Sequence, residues 1–74
     1  MNIRIISYIQ EYVNSLPVGA KFTTSDVYSH LKNDVRARYW LGSKRMVTGQ
    51  IYAVPNVEVS HRDSHHIIIW ERVA

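Results

Sequence analysis

An α+β fold, three helices followed by a C-terminal β-hairpin, is what the sequence predicts, and three observations predict it. Apolar residues recur at three- and four-residue intervals as far as Val54, the signature of helices with one buried stripe. After Pro55 the pattern changes to alternation and a β-branched run, the signature of strands. Turn-forming residues stand between these stretches, at Pro17 and Gly19, at Asn33-Asp34 and at Arg62-Asp63-Ser64. With 74 residues the chain has room for one small core, so a single domain over 1–74 is expected.

Each element follows from its residues. Over 3–16, Ile5, Ile9, Tyr12, Val13 and Leu16 share a stripe, while Arg4, Gln10, Glu11 and Asn14 take the other face. Pro17 and Gly19 stop this helix. Lys21-Phe22-Thr23 is too short for an independent strand and is expected to add one bridge to a sheet made elsewhere, with Phe22 inward. Thr23-Thr24-Ser25-Asp26 opens a second helix, because a threonine hydroxyl accepts from first-turn amides and an acidic side chain suits the positive end of the dipole. Val27, Tyr28 and Leu31 are its apolar positions, and Asn33-Asp34 ends it. Residues 35–41 lack a clean period and fit either a structured loop or the leading turn of another helix. Ser43 caps the third helix, which places Met46, Val47, Ile51 and Val54 on one face and ends before Pro55. Lys44, Arg45, Thr48 and Gln50 lie off that face. In the last segment Val57, Val59 and His61 share one side of a strand, and 67–73 returns as its partner.

Composition narrows the function. Nine Lys/Arg against six Asp/Glu give a net charge of +3 and favour an anionic partner. Lys32, Arg36, Arg38, Lys44 and Arg45 all fall in the middle of the chain, interrupted only by Asp34. The absence of cysteine removes disulfides and thiolate metal sites. The longest apolar run, Ile67-Ile68-Ile69-Trp70, is far short of a membrane span. The first residues run straight into a periodic segment with Gln10, Glu11 and Asn14, unlike a secretory leader. A cytoplasmic, reducing setting is therefore expected, beside a nucleoid or in a host cytoplasm.

The order helix, short extended bridge, helix, turn, helix, hairpin resembles the winged helix-turn-helix family over nearly the whole chain. The residues that carry the resemblance are Leu16-Pro17-Val18-Gly19, Phe22-Thr23-Thr24-Ser25-Asp26-Val27, the stretch 43–54 in the place of a recognition helix, and 57–73 in the place of the wing. One departure is the connection 33–42, longer than the usual three- or four-residue turn. The resemblance implies a duplex DNA-binding protein, a small transcriptional regulator or architectural protein, with the third helix in the major groove. The chemistry agrees: arginine forks onto guanine, glutamine onto adenine, and threonine or lysine reaches phosphates. The candidate DNA-binding residues are Ser43, Lys44, Arg45, Thr48 and Gln50 on the third helix, Arg36 and Arg38 before it, and Arg62 at the hairpin tip. Gly49 lets the backbone come close. About six phosphate contacts make affinity fall as roughly the fifth power of salt concentration.

The same residues also fit other readings. A protein-interaction module on the same fold, or an RNA or single-strand binder stacking bases on Tyr39-Trp40, are the alternatives. More often such aromatics close a small core, and Trp70 is expected to do so. His61, His65 and His66 resemble a metal cluster only superficially, because adjacent strand residues point to opposite faces and no acid or thiol has ligand spacing. Their neighbourhood to Arg62 adds pH-dependent charge. No metal, cofactor or small-molecule substrate is implied. Ser43 has no base with an orienting partner, and no carboxylate pair or glycine-rich loop is present, so an enzyme is not expected. The sequence leaves the oligomeric state open; for a homodimer the first helix is the expected surface, with Tyr8 and Tyr12 near the seam, unless the core uses that helix fully.

Overall fold

The computed structural model describes residues 3–74; residues 1 and 2 of the expected 1–74 domain lie outside the described residues. The elements run α1 (Ile3–Asn14), β1 (Lys21–Thr23), α2 (Thr24–Lys32), α3 (Lys44–Ile51), β2 (Val57–Arg62) and β3 (Ile68–Arg72). This is an α+β fold with three helices and a three-stranded antiparallel sheet of order β1-β3-β2. The bridge expected of Lys21-Phe22-Thr23 is the short strand β1 between the first two helices, paired with β3 with Phe22 opposite Trp70, so the sheet has three strands where the hairpin alone has two. A three-residue strand suffices because β3 already offers its free edge. Among the described residues, no helix is long and apolar enough to cross a membrane.

The helices form as their periodicity requires. In α1, Ile5, Ile9 and Val13 are fully buried and Tyr12 partly so, as is Leu16 just beyond the helix. The helix ends at Asn14 rather than at 16, and the chain leaves through a turn in which Ala20 N–H donates to Pro17 O at 3.0 Å. Gly19, at φ 91°, occupies the position of that turn that a side chain would strain. At α2 the capping box is complete: Thr23 Oγ1 accepts from Asp26 N, and Asp26 Oδ2 accepts from Thr23 N. Ser43 Oγ accepts from Met46 N at the start of α3. That helix ends at Ile51, and residues 52–54 continue as a tighter turn that still buries Val54.

Among the described residues, eleven buried side chains make the core, with Phe22 and Trp70 from the sheet closing over Val27, Leu31, Val47 and Ile51. Each large one contributes about 1.5–3 kcal/mol by leaving water. Residues 33–42 form a series of turns along α1. Ala37 is buried there, and Arg36 and Trp40 reach Tyr8 and Arg4 of α1, at 5.1 and 4.7 Å respectively. Trp40 and Tyr39 do not close the core; they stack edge-to-face on the surface, with Tyr39 81% exposed, because Ala37 already fills the inward position. Met46 is likewise 55% exposed.

The hairpin departs from simple alternation. Val59 pairs with Trp70 but His61 with Ile69, so Ser60 is bulged and His61 moves off the side shared by Val57 and Val59. Arg72, at the end of β3, donates to the carbonyls of Val13, Asn14 and Leu16, and so satisfies the C-terminal end of α1.

Candidate nucleic-acid interface

The third helix is anchored through Val47 and Ile51 and through a hydroxyl relay. Trp70 Nε1–H donates to Thr24 Oγ1 at 3.2 Å; Thr48 Oγ1 lies 3.2 Å from Thr24 Oγ1 and 3.1 Å from Lys44 O. Sheet, α2 and α3 are thereby tied at one point. Thr48, expected among the DNA contacts, faces α2 and serves this tie. Gln50 is half-buried, with its Oε1 enclosed and without a hydrogen-bond partner.

The outward face of α3 is set by the phase of Val47 and Ile51. At 100° per residue, Gly49 lies opposite their midpoint, flanked by Arg45 and Met46. Arg45 is exposed, and a Cβ built on Gly49 meets nothing within 4 Å. Lys44 sits beside α2: its Nζ is 3.4 Å from Ser25 Oγ and 5.6 Å from the Tyr28 ring centroid. Neither Lys44 nor Arg45 nor Arg38 is in an ion pair among the described residues.

Arg36 is differently placed. Its guanidinium is 2.9 Å from Asp34 Oδ2 and 3.4 Å from Glu11 Oε1. The hydrogen bonds from Arg36 hold the Asp34 carboxyl at about 2, below its ordinary 3.8, and the same partners raise the guanidinium further. Its charge is therefore matched on the α1 side, away from the partners of α3. Burial, followed by the charge of Asp26, pushes the Tyr12 hydroxyl up. Tyr12 packs edge-to-face on Phe22 and against His30, and Tyr8 lies under Arg36, so both tyrosines expected at a dimer seam are engaged within the chain.

The hairpin tip is built by Asp63, whose Oδ1 accepts from His65 N at 2.8 Å and Ile67 N at 3.0 Å. His66 there has φ 63°. Arg62 donates to His66 O at 3.1 Å and pairs in register with Ile68, on the same sheet face as Trp70 and Val59. The opposite face carries Glu71, flanked in register by Glu58 and Lys21. No protein-family model, characterised protein or solved structure matches the chain.

Sequence reasoning missed Met46 and Tyr52 as surface residues, 55% and 61% exposed. The signal was present: Val47, Ile51 and Val54, at i, i+4 and i+7, already make a complete stripe, which leaves Met46 about 120° away. It also missed the Thr24–Thr48 contact, which joins residues distant in sequence.

Proposed function

We propose that this chain is a winged helix-turn-helix domain that binds duplex DNA, as a small regulator or architectural protein, with α3 in the major groove and the hairpin against the flanking backbone. The observation that carries the reading is the outward face of α3. It presents an exposed Arg45 and a bare Gly49 on a helix whose opposite side is pinned into the core. A helix of this width fits the major groove, where arginine forks onto guanine O6 and N7.

The charge distribution supports the same orientation. Lys44 and Arg45 on α3 and Arg62 on the Trp70 face of the hairpin are cations outside any ion pair among the described residues, while the opposite sheet face carries Glu58 and Glu71 beside Lys21. Arg36 contributes little, since Asp34 and Glu11 already match it. Pairing of two copies through α1 is not part of the proposal, because Tyr8 and Tyr12 are spent on internal contacts.

Three cations, Lys44, Arg45 and Arg62, give a slope of log affinity against log salt of about −2.7, shallower than the sequence suggests. Gel retardation of duplex DNA between 50 and 200 mM salt is then expected to weaken roughly 40-fold. Arg45→Ala lowers the slope by about 0.9 and weakens binding. Binding that ignores both salt and Arg45→Ala rejects the proposal. The second reading, a protein-docking module, draws on exposed Met46 and Tyr52 and predicts that indifference.

A further inference from the structure

With Thr48 tied to α2 and Gln50 half-buried, the outward face of α3 holds one strong base-edge donor, Arg45, and two apolar side chains. Met46 stands at its N-terminal end. The thioether lies back over Gly42, where a Cβ would meet its Sδ at 2.8 Å, so the missing side chain at 42 is what makes room for it. Tyr52 stands at the other end, its ring edge-to-face with Trp70 at 4.9 Å. The two are six positions apart, about 9 Å at helical rise, or two to three base-pair steps. Between them the surface is bare at Gly49.

An exposed apolar side chain beside an unmatched arginine narrows the partner. The basic character of Lys44, Arg45 and Arg62 selects an anionic surface, and in the major groove the one apolar feature of a base edge is the C5-methyl group of thymine. We infer that Met46 is a specificity-determining residue that packs against a thymine C5-methyl adjacent to a guanine read by Arg45. This rests on the duplex reading above and deepens it. The target is a duplex with guanine and thymine within a few steps, and discrimination comes from apolar contact where amide and hydroxyl readers are withdrawn.

The test uses the full chain and duplexes selected from a randomised library, with each thymine in turn replaced by deoxyuridine, which lacks only the methyl. Removing one buried methyl is expected to weaken binding by the intact protein about fourfold at one or two positions. Met46→Ala is expected to bind the thymine duplex about as weakly as the intact protein binds the deoxyuridine one, and to show no further loss on that replacement. Met46 is exposed, so this variant keeps its core. Equal affinity for thymine and deoxyuridine at every position overturns the inference, as does a fourfold loss that persists undiminished in Met46→Ala. If Arg45→Ala still weakens every duplex while deoxyuridine has no effect, the duplex reading stands and the methyl contact is rejected. If no duplex is retained in a salt-dependent way, the duplex reading fails and takes the inference with it.

Discussion

Gly49→Ala separates what α3 does for the fold from what it does for a ligand. Glycine inside a helix costs roughly 0.5–1 kcal/mol relative to alanine, chiefly in backbone entropy. Nothing lies within 4 Å of the added Cβ, so no clash offsets the gain. For a chain of 74 residues, an unfolding entropy of about 2.1 cal/mol/K per residue sums to about 155 cal/mol/K. The melting temperature is then expected to rise by roughly 3–6 °C. Affinity for duplex DNA is expected to move the other way. A methyl group set between helix and base edges, if it costs about 1 kcal/mol of overpacking, weakens binding roughly fivefold, and Gly49→Leu should abolish it. Circular-dichroism melting and a duplex titration at fixed salt read the two effects independently. A lowered melting temperature for Gly49→Ala refutes the open outward placement of this residue. Wild-type affinity in both variants refutes contact through this face.

Arg72→Ala is expected to lower stability by about 1–3 kcal/mol, because the carbonyls of Val13, Asn14 and Leu16 lose a charged donor; Arg72→Lys, without the fork, should restore only part of it. Urea midpoints at unchanged m-value measure both. His66→Gly is expected to stabilise the fold by about 1 kcal/mol, since φ 63° strains a side-chain-bearing residue, and an unchanged or lower midpoint refutes that strain. Asp34 has a folded-state value of about 2 against an ordinary 3.8, so its contribution is complete above about 4 and is lost as the pH falls towards 2. Asp34→Asn should flatten that limb of an acid titration, and an unaltered limb assigns it to other carboxylates.

The sequence alone determined the helices, the caps and the position of the hairpin. Those features depend on neighbours a few residues apart: the i, i+4 stripe Ile5, Ile9 and Val13, the reciprocal bonds between Thr23 and Asp26, and the hydroxyl of Ser43. It also marked the basic middle of the chain, but a count of charges does not say which ones are matched. That was decided by tertiary structure, which brought Glu11 to Arg36 across 25 positions and left Arg45 without an acidic partner. The outward face of α3 was decided in the same way, since Thr48 turned inward to meet Thr24 and Met46 turned outward above Gly42. A helix fixes only the angles between its side chains. The angle that faces water is chosen by the core it packs against, and residues from β1, α2 and β3 build that core.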